Sequence, residues 1–259
     1  MLIDSHVHVT PTGRWFDTDN DASVVNLLSE MEQNGINRAV LLPISGIIPN
    51  EFVASTCLLH PKHFIGAVSV DPGAGKRAIS ELRDYLSHKN MKMLKLHPSL
   101  QNFDPLSKAV VKLLEVCAEL EVPALFDCFP FGRNRPIVSS TPLVFDKLAK
   151  MVPSTKIILA HAGGHRVLDA CMVAKSNANI LLDISYSPVY FEGSSVPKDF
   201  IYAINKVGAR RVLYGSDYPE VRLDHALAAA RQLVIDLPAM DQDLIFGGSV
   251  GQLLRLEAE

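Results

Sequence analysis

The chain has 259 residues, of which 48% are hydrophobic and 20% charged, and a formal net charge of −3. This composition is that of an ordinary globular protein, and the charge gives no electrostatic case for binding nucleic acid or an anionic membrane. No apolar run reaches the roughly 18 residues of a transmembrane helix, and the first residues lack the features of an export signal. The 4 cysteines show no Cys-x-x-Cys spacing, so a reduced, cytoplasmic setting is expected.

Short β-branched runs alternate with longer stretches of helical apolar spacing along the whole chain. The predicted strands are 2–8, 36–42, 64–70, 91–97, 122–128, 156–160, 180–184 and 211–215. The predicted helices are 22–34, 51–60, 74–87, 105–120, 141–151, 165–175, 198–207 and 224–235, followed by a helical tail over 241–256. Eight strand–helix units with near-continuous apolar strands predict one (β/α)8 TIM-type barrel domain over residues 1–259. A doubly wound open sheet is the alternative, although no Gly-x-Gly-x-x-Gly turn follows the first strand.

The first predicted strand ends in two histidines, His6 and His8. Residues i and i+2 of a strand point to the same face, so the two imidazoles are predicted to lie side by side. A His-x-His pair alone is weak evidence for a metal site, and further ligands must come from distant segments.

Polar side chains also stand at the ends of the later strands. In a (β/α)8 barrel the carboxyl ends of all strands meet at one mouth, where active sites lie. The candidates are Asp71 after strand three, Lys95 and His97 on strand four, Asp127 on strand five, His161 after strand six, Asp183 and Ser185 on strand seven, and Asp217 after strand eight. Imidazoles and carboxylates converging at one mouth favour a borderline divalent metal such as zinc.

Motifs along the whole chain resemble the amidohydrolase superfamily. More narrowly, they are similar to its amidohydrolase-related branch, which includes aminocarboxymuconate-semialdehyde decarboxylase. The similar segments are 3–8, 64–72, 94–98, 161–164, 182–185, 215–219 and 245–249. The resemblance implies a distorted barrel with one divalent metal, usually zinc, with manganese as the alternative. It also makes a homodimer a family-level expectation.

The resemblance further assigns roles to four residues. His6 and His8 match the strand-one metal ligands. Asp217 matches the strand-eight aspartate, which is a ligand and handles the proton of the attacking water. His161 matches a strand-six histidine that acts as an acid or base, or polarises the substrate.

Strand five departs from the family pattern. The family usually has a histidine where this chain has Asp127. Asp127 either replaces the histidine as an oxygen ligand or marks a weakened metal site. Lys95 matches the position that some superfamily members carbamylate to bridge two metals, but the missing strand-five histidine favours a single metal. Lys95 is then expected to be a cation that pairs with Asp127 or with substrate.

These residues predict a metal-dependent hydrolase that acts on a small carboxylate-bearing amide, ester or lactone. Arg133 and Arg135, in the loop after strand five, are candidates to bind the substrate carboxylate. Lys95, His97 and Tyr186 are the other candidates for substrate binding. A non-oxidative decarboxylase of an aromatic or unsaturated acid is the second hypothesis. A degenerate barrel that binds a ligand without catalysis is the third, favoured only by Asp127.

Overall fold

The structure is a computed structural model that describes residues 1–89, 91–130, 136–137 and 141–256. Eight strands form one parallel sheet in the order β1 to β8. Their bounds are β1 Ile3–Val7, β2 Arg38–Leu41, β3 Phe64–Val68, β4 Met91–Leu96, β5 Ala124–Phe126, β6 Ile157–Leu159, β7 Ile180–Asp183 and β8 Val212–Leu213. The eight-stranded TIM-type barrel predicted from the sequence is therefore confirmed.

Helices follow the strands in the predicted alternation. Their bounds are α1 Val24–Asn34, α2 Asn50–Leu59, α3 Lys76–His88, α4 Lys108–Glu119, α5 Pro142–Met151, α6 Val167–Ser176, α7 Ser187–Tyr190, α8 Val196–Val207, α9 Leu223–Val234, α10 Ala239–Asp243 and α11 Ser249–Leu253. Capping residues set both ends of helix α1. The Ser23 side chain accepts a hydrogen bond from the Asn26 N–H at the start, and Gly35 ends the helix with φ 66°. The short α7 has no counterpart among the predicted helices.

The barrel closes through backbone hydrogen bonds between β1 and the segment that follows β8. Ser5 N–H donates to Tyr214 O at 3.0 Å, Asp217 N–H to His6 O at 2.9 Å and His8 N–H to Tyr218 O at 2.7 Å. The bond between His8 and Tyr218 lies beyond the two-residue β8, so the contact continues to the carboxyl end of β1. The first and last strands therefore meet where the predicted site residues stand.

The core has an inner and an outer layer. The inner layer fills the barrel with side chains from every strand: Ile3, Val40, Ile65, Met93, Leu125, Ile158, Leu181 and Leu213. The outer layers pack the opposite strand faces against the helices. Among the helices of the described chain, none combines the length and apolar character needed to cross a bilayer.

An irregularity in β1 sets the direction of its histidines. Ile3 points into the barrel, so regular alternation would also turn Val7 inward and His6 outward. Instead the pairing register between β1 and β2 shifts between Asp4 and Val7. Val7 consequently packs in the outer layer, while His6 lines the barrel mouth.

Candidate metal centre

A cavity of about 440 Å³ opens at the carboxyl ends of the strands. Its lining includes eight predicted site residues, and aromatic rings form its outer wall. The lining residues used below are His6, His8, Trp15, Phe16, Lys95, His97, Asp127, Phe129, His161, Tyr186, Tyr190, Asp217 and Glu220. Residues far apart in the sequence thus share the one mouth that the barrel topology predicted.

His6 and His8 present the same ring atom to Asp217. His6 Nε2 lies 3.3 Å from Asp217 Oδ1, and His8 Nε2 lies 3.5 Å from the same oxygen. The other ring nitrogen of each histidine has a hydrogen-bond partner on the side away from Asp217. His6 Nδ1 lies 2.6 Å from Asp183 Oδ2, and His8 Nδ1 lies 2.7 Å from Leu42 O. Since both partners are acceptors, each Nδ1 carries a proton and donates it, which leaves each Nε2 unprotonated, with its lone pair available to a ligand or donor.

Asp217 sits in a strained but well-anchored turn. Its φ is 66°, in the left-handed region that residues other than glycine rarely occupy. The bond from its N–H to His6 O holds this conformation against β1. Burial alone would raise the pKa of the Asp217 carboxyl, but the electrostatic influence of His161 and His6 lowers it to about 2. Asp217 is therefore a carboxylate at neutral pH.

His161 also has a left-handed backbone, with φ 59°, in the tight segment after β6. Its Nδ1 lies 3.0 Å from Ser185 Oγ, and its Nε2 lies 3.3 Å from Asp127 Oδ2. Burial lowers the pKa of His161, but Asp217 and Asp127 outweigh burial, so the pKa is raised above its ordinary value. By contrast, burial and the neighbouring Lys95 charge lower the pKa of His6 well below its ordinary value. The two imidazoles are thus tuned in opposite directions, the pattern by which one site separates an acid from a ligand or base.

Asp127 lies between two imidazoles. Besides His161, it faces His97, whose Nε2 is 3.6 Å from Asp127 Oδ2. The Leu100 N–H donates to His97 Nδ1 at 3.2 Å, so the ring proton of His97 is on Nε2 and points toward Asp127. Burial lowers the pKa of His97 to about 4, which makes it neutral at pH 7. Burial raises the pKa of Asp127, but His97, His161 and Lys95 together lower it below its ordinary value.

Lys95 is almost fully buried, with 1% of its surface exposed. Its Nζ lies 3.3 Å from His6 Nε2, at the bottom of the cavity. Burial lowers the pKa of Lys95, while Asp127, Asp217 and Asp183 oppose that shift. Lys95 therefore contacts His6 and lies within electrostatic reach of three carboxylates, and its pairing with Asp127 or with substrate stays a prediction.

The donor set fits a divalent ion. Among the described residues, one group of potential ligands has atoms within 4.8 Å of one another: His6, His161 and Asp217. His8 and Asp127 stand beside this group through the Asp217 and His161 contacts given above. Imidazole nitrogens whose far sides are fixed by a carboxylate or a carbonyl, next to an ionised carboxylate, suit zinc or manganese.

The remaining predicted site residues fall in different places. Tyr186 lines the cavity with φ 59°, and its ring lies 5.9 Å from that of His161. Arg133 and Arg135 lie outside the described residues. Asp71 makes a turn instead of lining the cavity, because its Oδ1 accepts from the Gly73 N–H at 2.8 Å. Asp71 is therefore a turn residue, a role that aspartate often has in such segments, and the sequence-based candidacy of Asp71 for the cavity is wrong.

Residues around the site fix its histidines. Asp183 and Ser185, both candidates at the end of strand seven, contact His6 and His161, respectively. Trp15 stacks on His8 with ring centroids 5.1 Å apart and donates from Nε1 to Glu220 Oε1 at 2.8 Å. Trp15 and Glu220 were not predicted, and no local pattern in the sequence identifies them as site residues.

A model of the amidohydrolase family matches residues 3–256 of this chain. The chain belongs to the amidohydrolase family. Within that family, the expected strand-one, strand-six and strand-eight residues all lie at the mouth described above. A comparison with curated proteins gives no match for this chain.

Solved structures share the fold at low sequence identity. An uncharacterised TIM-barrel protein from Bordetella bronchiseptica is 19% identical, with a TM-score of 0.82 and 98% of each chain covered. A probable 2-pyrone-4,6-dicarboxylic acid hydrolase from Acinetobacter baumannii, with citric acid bound, is 16% identical, with a TM-score of 0.76 and coverage of 98% of this chain and 99% of that one. A dihydroxybenzoic acid decarboxylase from Polaromonas, with bound manganese and 2-nitroresorcinol, is 16% identical, with a TM-score of 0.73 and coverage of 100% and 98%. At these identities the likeness shows the fold alone.

Proposed function

We propose that this amidohydrolase is a metal-dependent hydrolase that acts on a small carboxylate-bearing amide, ester or lactone. The observation that carries the proposal is the convergence of His6, His161 and Asp217 within 4.8 Å at the barrel mouth. The buried partners of His6 and His8 support it, because they leave two nitrogen lone pairs aimed at one carboxylate oxygen.

His6, His8 and Asp217 would hold the ion, and zinc is our first choice for two imidazoles and one carboxylate. A bound divalent ion supplies Lewis-acid chemistry: it lowers the pKa of water toward about 7 and polarises a carbonyl. We place His161 outside the ligand set. Its Nε2 contacts Asp127 and its Nδ1 contacts Ser185 Oγ, so both of its ring nitrogens already have partners.

The side chains of the chain would then divide the proton transfers. Asp217, ionised at neutral pH, accepts the proton of the attacking water. His161, held between Asp127 and Ser185, stabilises charge on the carbonyl oxygen and supplies a proton to the leaving group. Asp127 acts in this scheme as the charge partner of His161. Lys95 would balance the negative charge of Asp127 and Asp217 at the cavity floor. Arg133 and Arg135 remain candidates for binding the substrate carboxylate.

Decarboxylation of an aromatic or unsaturated acid is the second candidate. Two observations favour it: the ring of Phe129 lies 5.8 Å from that of His161, and Tyr186 and Tyr190 continue this aromatic wall. A flat ring fits such a wall, and His161 could protonate the ring carbon that loses CO2. The manganese-bound structural relative named above is a decarboxylase of this kind.

The test combines metal analysis with a substrate panel. Protein purified without chelator should contain about one zinc or manganese per chain, and His161→Asn should keep that metal while losing most activity. Esters, lactones and amides that bear a carboxylate should be hydrolysed without CO2 release. CO2 release from hydroxybenzoates without hydrolysis would replace the first function with the second. Less than about 0.1 metal per chain, with no activation by added zinc or manganese, would support a degenerate barrel.

A further inference from the structure

The outer rim of the cavity has a chemistry different from its floor. Trp15 and Phe16 come from the loop after β1, Tyr186 and Tyr190 from the loop after β7, and Glu220 from the turn after β8. Trp15 and Phe16 meet edge to face at 4.6 Å, and Tyr186 and Tyr190 lie 5.1 Å apart. The rim is therefore an aromatic collar that contains one carboxylate.

Glu220 is tied to both the collar and the metal centre. Its N–H donates to Asp217 O at 2.9 Å, so its place follows directly from the Asp217 turn. Its Oε1 accepts from the indole N–H of Trp15 at 2.8 Å, which orients the carboxylate beside the ring. Within the described part of the chain, no Lys or Arg makes an ion pair with Glu220.

Among the described residues that line the cavity, none brings a positive charge to the rim. Among the described lining residues, the carboxylates are Asp127, Asp217 and Glu220, and Lys95 is the sole Lys or Arg. Lys95 is buried at the floor against His6. Aromatic ring faces carry negative potential and attract ammonium groups within about 6 Å of the ring centre. The aromatic rings and the Glu220 carboxylate at the rim therefore both favour a positively charged group.

We propose that Glu220 and the surrounding rings of Trp15, Phe16 and Tyr186 form a subsite for a cationic ammonium group on the substrate. This inference rests on the proposed function, because it takes the cavity to be the active site. The substrate would place its reacting carbonyl at the floor and its ammonium group at the rim. A zwitterionic or amino-substituted carboxylic acid derivative is the class that fits both ends.

The single tryptophan of the chain gives a direct readout, since all tryptophan fluorescence comes from Trp15. The probe is benzyltrimethylammonium, a quaternary ammonium that cannot coordinate metal, titrated into the zinc-loaded protein. Benzyl alcohol serves as the neutral probe and phenylacetate as the anionic one. We expect the ammonium probe to bind at least about tenfold more tightly than benzyl alcohol.

The matched variants are Glu220→Gln and Glu192→Gln. Glutamine at 220 keeps an acceptor for Trp15 but removes the charge, so the affinity for the ammonium probe should fall about tenfold. Glu192 is an exposed residue that contacts His225 outside the cavity, and its variant should bind within twofold of wild type. Equal affinity for the three probes, tighter binding of phenylacetate, no binding, or an unchanged Glu220→Gln variant would each overturn the subsite.

The metal and panel assays separate this failure from failure of the proposed function. Cation preference that depends on Glu220, in a protein that hydrolyses nothing in the panel, would leave the subsite standing and sink the hydrolase. Hydrolysis in the panel without a cation preference that depends on Glu220 would support the hydrolase and overturn the subsite.

Discussion

Four cavity residues have a positive φ: Phe16 at 48°, His161 and Tyr186 at 59°, and Asp217 at 66°. Each such residue costs about 1–3 kcal/mol unless the surroundings enforce it, and outliers of this kind concentrate at functional sites. Here the enforcing bonds are present: Asp217 N–H donates to His6 O, and Ser187 Oγ donates to His161 O at 2.8 Å. The strain places side chains that an ordinary strand end would turn elsewhere.

Asp183 sets the tautomer of His6, which gives a first prediction at this scale. In Asp183→Asn an amide N–H2 can face His6 Nδ1 and favour the ring with its proton on Nε2, which removes the lone pair proposed for the metal. Affinity for zinc should fall about 10–100-fold while the fold is kept. Competition against a zinc-binding dye measures the affinity, and circular dichroism checks folding. An unchanged affinity would mean that His6 does not ligate through Nε2.

Asp127 raises the pKa of His161, which gives a prediction for pH dependence. The proposed acid must be protonated, so activity falls as the pH rises through the pKa of His161. Asp127→Asn removes a negative charge that favours the protonated ring, so this pKa drops and the alkaline limb of kcat/KM moves to lower pH. Zinc content should change little. If zinc is lost and the limb stays in place, Asp127 is a metal ligand instead.

At the scale of elements, the site depends on how closely β8 approaches β1. Asp4 Oδ1 accepts from the His6 N–H at 3.1 Å and from the Ser216 N–H at 2.9 Å, so one carboxylate joins the two segments. Burial raises the pKa of Asp4 to about 7. Gly215 makes the approach sterically feasible, because a Cβ there would lie 2.7 Å from His6 Cβ and 3.1 Å from Ser185 Cβ.

Gly215→Ala should therefore damage stability and metal binding together. The added methyl must push β8 away from β1 or displace His6, and overpacking of this kind costs about 1–3 kcal/mol. Thermal unfolding and zinc titration measure the two effects. Gly251→Ala is the matched control, since its Cβ would meet only Ile3 Cδ1 at 3.9 Å within helix α11. The control should be neutral or slightly stabilising, and equal losses in both variants would contradict the steric argument.

At the scale of the whole molecule, the proposed ligands join the first and last strands of the barrel. His6 and His8 belong to the β1 end, and Asp217 follows β8. An ion held by them would join the two ends of the barrel, and the three side chains come together only in the folded chain. Metal occupancy should thus be visible in global stability as well as in activity.

Zinc at 100 times its Kd should stabilise the protein by about 2.7 kcal/mol. Calorimetry of the zinc-loaded and chelator-treated protein should show a higher Tm with metal, and re-addition of zinc should restore it. Asp217→Asn should show a much smaller difference, because it loses a proposed ligand. The same zinc-dependent shift in wild type and Asp217→Asn would place the metal elsewhere.

The sequence by itself determined the barrel and the residues at its mouth. Strand and helix periodicities are local properties, and the parallel topology then brings every strand end to one face, so His6, His161 and Asp217 could be grouped before any distance was known. Helix α7 and the loop around it could not be predicted from local periodicity. The rings of Tyr186 and Tyr190 pack on Phe129, which comes from the distant segment after β5.

Only the tertiary structure decided how those residues are used. The register shift in β1 turns His6 inward. This shift depends on the pairing of β1 with β2 and could not be predicted from the sequence of β1 alone. The contact between Asp127 and His161 depends on how β5 and β6 are spaced. The Trp15–Glu220 bond joins residues 205 positions apart. Periodicity fixes which face a side chain takes, whereas a distance of a few ångströms between two loops is set by the packing of the whole barrel.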